Sequence, residues 1–357
     1  MKQEPAFRLG ARAWVALLLL GIVFWFFVQN YQLILEMAGV LFGSLLIGVA
    51  LRPVADFMAV RRVPRGAAVI AVYVLVLGSW ALAGNLLVPI IDADLAYFRT
   101  HGLGLVQTAL GQIAAMPVIN QFLPAPSSYL PSLAQRINAL AAAVVNAVAS
   151  IGGMALDVLL AMVLGYFFAA DTTLGMRTFL AWTPPAYQEA VGLLLGRIRR
   201  RLTRWIWAQL AVALYFAVVF TIGLSLFGIR FALTIGLIGG MLEVIPYVGG
   251  MTAWLLAVFS ALTSNPWLAL WVTVFYLVVV EVESHIVAPA FYGRVLDIHP
   301  ALVLMALVVG AKLGGIVGLL FAVPLMVVLT VVVGEVRTLL RFEEERGGGG
   351  PTVPEPG

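Results

Sequence analysis

Between Trp205 and Val280 the chain runs for 76 residues with only two charged side chains, Arg230 and Glu243. About 20 apolar residues suffice to cross a bilayer core of about 30 Å, so this stretch reads as several membrane passes. A carboxylate inside such a run costs about 2.5–3.5 kcal/mol at the bilayer centre on insertion scales, so Glu243 calls for a reason. It lies in G-G-M-L-E-V-I-P-Y-V-G-G, residues 239–250. Pro246 lacks an N–H and clashes with the carbonyl four residues back, while Gly249 and Gly250 weaken a helix further. Two later stretches repeat the theme: E-V-E-S-H-I-V-A-P (281–289) and G-A-K-L-G-G-I-V-G-L-L-F-A-V-P (310–324). At membrane depth, irregular backbone is tolerated only where it is buried in protein or lines a water-filled cavity. A transport pathway is therefore expected near these breaks.

The composition excludes most other classes. AVILMFWYC residues make up 62% of the chain and charged residues 11%, against about 25% charged in soluble domains. No cysteine is present, and the three histidines, His101, His285 and His299, form no zincin-type motif. There is no phosphate-binding glycine loop of the Walker type, so no ATP site, no metal and no cofactor are expected. The net charge of +4 comes from arginines gathered at helix ends rather than along one stripe, which argues against nucleic acid and for membrane topology.

Read in order, residues 1–12 form a basic N-terminus and 13–91 three spans. Residues 92–142, rich in Pro, Gln and Asn, read as an amphipathic extracytoplasmic segment. A fourth span covers 143–170, with Asp157 in either a packing or a functional role. Residues 171–204 read as a cytoplasmic amphipathic segment, because Val191, Leu194, Leu195, Ile198 and Leu202 recur at helical spacing and arginines fill the other face. Residues 205–340 hold spans five to eight, and 341–357 form a disordered cytoplasmic tail. The fold class is an all-α integral membrane protein with about eight transmembrane helices. Two of these, 231–262 and 301–336, are too long for one pass and must be broken, tilted or re-entrant. With both termini cytoplasmic, the inner segments hold sixteen Lys and Arg and the outer ones four, a clear positive-inside bias. Span five, a G-I-R loop and a broken segment are echoed by span seven, a G-R-V loop and a second broken segment. With eight passes the two units share one orientation, as in a parallel repeat.

The candidate site residues follow from the breaks. Glu243 either carries a proton or caps backbone groups freed at Pro246, with Tyr247 and Gln209 as neutral polar partners. Glu281 and His285, four residues apart, share a helical face with Ser284 and form either a proton relay or an ion pair. Glu283 points about 200° away from Glu281 if the helix continues. Pro289, Gly314, Gly315 and Pro324 are expected helix breaks, and Lys312 either neutralises a buried carboxylate or snorkels.

At these residues a resemblance enters. I-P-Y-V-G-G (245–250), E-S-H-I-V-A-P-A-F-Y-G (283–293), D-I-H-P (297–300) with the 310–324 stretch, and W-A-Q (207–209) resemble the autoinducer-2 exporter family, also called permease-M-like. The likeness covers roughly residues 10–340. It implies a multi-pass secondary transporter of the bacterial inner membrane and a homo-oligomer. Some members of that family are described as exporters of the signalling furanone, others as sodium (or lithium)/proton antiporters. Gly250 stands where the family often has proline, and Glu281 and His285 stand at positions more often held by amides, which points toward proton coupling. The reading is therefore an exporter of a small polar organic solute, with membrane lipid as the surrounding partner. The alternative is a cation/proton antiporter; an intramembrane enzyme is disfavoured for want of any nucleophile–base pair, and a non-transporting scaffold because it has no need for buried acids at helix breaks.

Overall fold

In a computed structural model the described residues are 11–114, 135, 155–171, 173–293 and 299–347. Most of the 92–142 segment, the start of the fourth span, the first ten residues and the tail beyond 347 lie outside them. Every described element is helical. In chain order they are α1 (Ala11–Gln29), α2 (Tyr31–Val60), α3 (Arg65–Ala114), α4 (Ala155–Ala170), α5 (Leu174–Ala181) and α6 (Gln188–Leu226). Then come α7 (Ala232–Leu242), α8 (Val248–Leu262), α9 (Pro266–Val282), a π-turn (Glu283–Val287), α10 (Ala288–Tyr292) and α11 (Pro300–Gly347).

By length and composition five helical stretches can cross a membrane: 31–60, 65–94, 185–226, 266–292 and 300–335. The pair 156–170 and 175–181, bent by 85°, brings the number to six. The expected spans one and six are not among them, because Leu18–Gln29 of α1 and the two arms of the first overlong segment are shorter apolar helices, and both overlong segments fold back. In the first, a Cβ built on Gly239 of α7 would fall 2.6 Å from the Ala253 Cβ of α8. A straight broken span would hold these residues about 21 Å apart at about 1.5 Å per residue. Ala232 and Ile235 at the start of α7 likewise share one core with Ala257 and Ala261 at the end of α8. Residues 231–262 are therefore a helical hairpin, with arms of about 16 and 22 Å that do not cross.

The second overlong segment also folds back. Gly314 (φ −131°, ψ 16°) and Gly315 (φ 56°, ψ −133°) leave the helix inside α11, the latter in a region that favours glycine. A Cβ on Gly310 would lie 2.9 Å from the Gly318 carbonyl carbon and 3.0 Å from the Ala322 Cβ. Val303 and Leu307 pack in one cluster with Val323 and Val327. The stretch 300–335 is thus two antiparallel arms meeting at Gly314 and Gly315, and not one pass. Small residues at the crossing let the backbones touch, as helix packing in lipid favours.

Contacts along α6 set the directions. Gly223 faces Phe275, the Tyr215 hydroxyl meets the Val279 carbonyl at 3.4 Å, and Gln209 meets Tyr292. As the α6 numbers fall those of α9 and α10 rise, so the two run antiparallel. Arg197 pairs with Glu335, while further along α6 Trp205 packs in one cluster with Val327, so the outgoing arm of α11 is also antiparallel to α6. Thr203 and Trp207 hydrogen-bond the Val49 and Ala50 carbonyls, which places the C-terminal half of α2 at the same basic end. The first hairpin accordingly opens from the far side and the second from the basic side. The two units are inverted, which corrects the parallel orientation expected from eight passes. The physical reason is that a hairpin returns the chain to the face it left, so α9 must run opposite to α6.

Two further expectations change. No proline interrupts Gln188–Leu226, and the arginine-bearing stretch 188–204 is one helix with the fifth span, about 58 Å long in all. It is therefore not a helix separate from that span. Likewise α3 does not end near Ile91 but runs on through Pro89 to Ala114. Its extension docks on the base of the first hairpin. Asp94 accepts the Thr234 hydroxyl at 2.5 Å, and the Arg230 guanidinium lies 3.6 Å over the Tyr97 ring. Residues 341–347, expected in a disordered tail, continue α11.

Candidate functional site

The first hairpin turns at Glu243–Tyr247, between the end of α7 and the start of α8. Pro246 lies in that turn, and Tyr247 takes a left-handed conformation (φ 69°, ψ −24°). A positive φ on a bulky residue is an outlier that the surroundings must hold in place. Glu243 supplies much of that hold. It is 4% exposed, and its two carboxylate oxygens accept the Gly250 amide at 2.6 Å and the Tyr247 amide at 3.3 Å. These N–H groups belong to the unsatisfied set at a helix start, where negative charge is favoured. Gly249 and Gly250 are therefore not part of the break, as expected, but form the first turn of α8. A Cβ on Gly249 would fall 2.6 Å from the Glu243 Cα, so only glycine lets α8 approach this closely.

Behind the turn a polar chain crosses the core. Gln209, 3% exposed on α6, donates its amide to the Glu243 backbone carbonyl. The Tyr292 hydroxyl of α10 donates in turn to the Gln209 side-chain oxygen. Around it sit Phe216 and Tyr276, the latter stacked on Trp254 at 5.6 Å between ring centroids. One hydrogen-bonded line thus ties α6, the hairpin tip and α10 together in the apolar core. A network of this kind is stabilising only while every member is satisfied.

The second acidic cluster divides. The His285 Nδ1 lies 3.0 Å from the Glu281 carboxylate, with side chains 75% and 71% exposed. Glu283 is half-buried on the opposite face. Pro289 does not break the chain: the Glu283–Val287 π-turn, closed by the Ala288 amide on the Glu283 carbonyl, absorbs it and α10 follows directly. Pro324 is fully buried inside the outgoing arm of α11 with helical backbone, so it is not a break either. Gly314 and Gly315 do form one. Lys312 is exposed near that tip and pairs with no acid among the described residues. Among the described residues no group of three or more His, Asp or Glu side chains could hold a metal.

Tyr292, Tyr276 and Trp254 were not singled out from the sequence. Tyr292 stands in the F-Y-G end of a motif quoted above, but nothing in its spacing says that its hydroxyl reaches back 83 residues to Gln209.

An all-helical chain with long apolar helices, two hairpins entering from opposite faces and a buried polar turn defines a multi-pass membrane transport protein. The chain matches the AI-2E family transporter family over residues 14–338 and belongs to it. Three relatives carry the name "Putative transport protein". YrrI of Bacillus subtilis (strain 168) is 27% identical over 346 residues, covering 93% of this chain and 97% of its own. YueF of the same organism is 22% identical over 286 residues, or 75% and 76% of the two chains. A protein of Borreliella burgdorferi is 27% identical over 200 residues, or 55% of each chain.

Proposed function

We propose that the protein is a secondary transporter of the bacterial inner membrane that exports a small polar organic solute of the autoinducer-2 type. The observation carrying this reading is the Tyr292–Gln209–Glu243 chain at the broken tip of the first hairpin. Polar groups and irregular backbone buried together in a membrane protein mark a solute path. Units of inverted topology with discontinuous helices are the architecture in which such a path opens alternately to each side. The positive-inside bias supports a cytoplasmic position for the basic end, with the C-terminus beside it. The first hairpin then opens from outside and the second from inside, and Glu243 carries the coupled proton. A homo-oligomer is the working form, in keeping with the resemblance.

One observation favours a second reading, sodium or lithium exchange for protons: Glu283 is a second half-buried acid, placed in the π-turn that leads to Tyr292. Purified protein in liposomes under an imposed pH gradient separates the two. Export predicts flux of a labelled furanone that Na⁺ does not support alone. Antiport predicts Na⁺-driven proton movement with no organic solute present. Neither flux, in protein shown to be folded, would overturn both.

A further inference from the structure

The arginines of α6 gather where that helix meets the outgoing arm of α11. Arg197, Arg200, Arg201 and Arg204 line a cleft of about 380 Å³ against Gly334 and Glu335. Their spacing puts them on neighbouring turns of one helix, opening toward α11. Only Arg197 is balanced, by Glu335. Arg200, Arg201 and Arg204 pair with no carboxylate among the described residues, so the cleft holds four guanidinium groups against one acid. Planar guanidinium groups match phosphate oxygens in bidentate fashion.

The position of the cleft says what presents the phosphate. Arg204 immediately precedes Trp205, where the uncharged part of α6 begins, and Trp207 is 46% exposed one turn further on. Tryptophan collects at the headgroup level of a bilayer. On the α11 side, Leu329 and Val333 are exposed beside the cleft residues Thr330 and Gly334. An apolar surface suited to acyl chains therefore borders the basic cleft directly. Basic pockets between helices on the cytoplasmic side take anionic headgroups by this arrangement.

We propose that the cleft between α6 and the outgoing arm of α11 is a binding site for a phosphate group, presented by an anionic phospholipid. A bound headgroup bridges the helix carrying Gln209 to the second hairpin and screens the mutual repulsion of the arginines. The site is separate from the Glu243 turn and does not depend on what is transported.

Native mass spectrometry of the full-length protein tests this with three probes: phosphatidylglycerol, phosphatidylcholine and inorganic phosphate. Phosphatidylglycerol should bind in preference to phosphatidylcholine and resist competition by inorganic phosphate. The combined change Arg200→Gln, Arg201→Gln and Arg204→Gln should weaken its binding by about a hundredfold, on the usual contribution of an arginine near a membrane surface. Arg61→Gln with Arg177→Gln, which removes exposed charge elsewhere, should leave binding unchanged. Gly334→Leu, which keeps every charge but fills open space in the cleft, should also weaken binding and guards against a triple variant that does not fold. Unchanged lipid binding in both cleft variants would overturn the site. Equal loss in the Arg61 and Arg177 control would reduce it to unspecific charge. Displacement by inorganic phosphate would show a free anion as the ligand and overturn the lipid assignment.

Discussion

The Glu243 carboxylate accepts the Gly250 amide at 2.6 Å, across the turn that separates the two arms of the first hairpin. Its other oxygen takes the Tyr247 amide, so both oxygens are acceptors. Glu243→Gln keeps the size but turns an NH₂ group toward one of these N–H donors. The expected outcome is a loss of transport together with about 1–3 kcal/mol of stability, the usual cost of an unmet buried group. Flux in liposomes and thermal unfolding in detergent read the two effects. Full transport at an unchanged melting temperature would show that this carboxylate neither couples protons nor holds the turn.

Tyr292→Phe removes one hydroxyl and leaves Gln209 bonded to the Glu243 carbonyl. It should cost about 1 kcal/mol and slow transport, whereas Gln209→Leu strands both neighbours and should cost more on both counts. The ordering is the test. Equal effects from the two changes would mean that the chain does not act as one line.

The second hairpin is open to a distance measurement, because the native chain has no cysteine. Spin labels at Leu304→Cys and Leu325→Cys, both exposed, should report a separation well below the about 32 Å of an unbroken helix. A distribution centred on that longer distance would remove the hairpin.

Orientation can be checked from the exposed side of α3. A cysteine at Gln107 should react with an impermeant thiol reagent added to intact spheroplasts. Labelling seen only after lysis would reverse the topology and place the basic end outside.

Much of the site was legible because it breaks rules that apolar helices obey. A lone acid three residues before a proline marks Glu243 and Pro246 without a structure. The faces of the second acidic cluster followed from about 100° per residue, and Glu283 does lie opposite Glu281. What hydropathy cannot carry is direction. An apolar arm of 14 residues that turns back at Gly314 and Gly315 has the same composition as half of a straight pass. The signal lay in Gly310 and Gly318, whose close approach needs a return of the chain, but glycines at that spacing fit ordinary helix packing equally well. Pro289 and Pro324 misled for a related reason: a π-turn absorbs one proline, and the other sits fully buried in an otherwise regular helix arm. Tyr292 escaped notice because its partner is remote in sequence.

The uninterrupted course of α3 has a mechanical consequence. Asp94 lies about 44 Å along the helix from Arg65, and a rod of that length magnifies small rotations. A tilt of about 5° pivoting near Arg65 would carry Asp94 sideways by about 4 Å. Through the Thr234 hydroxyl and the Tyr97–Arg230 stack, that displacement is delivered to the mouth of the first hairpin. The stretch of α3 beyond Asp94 is thus coupled to that hairpin, and a load applied to it would be passed to the turn that holds Glu243.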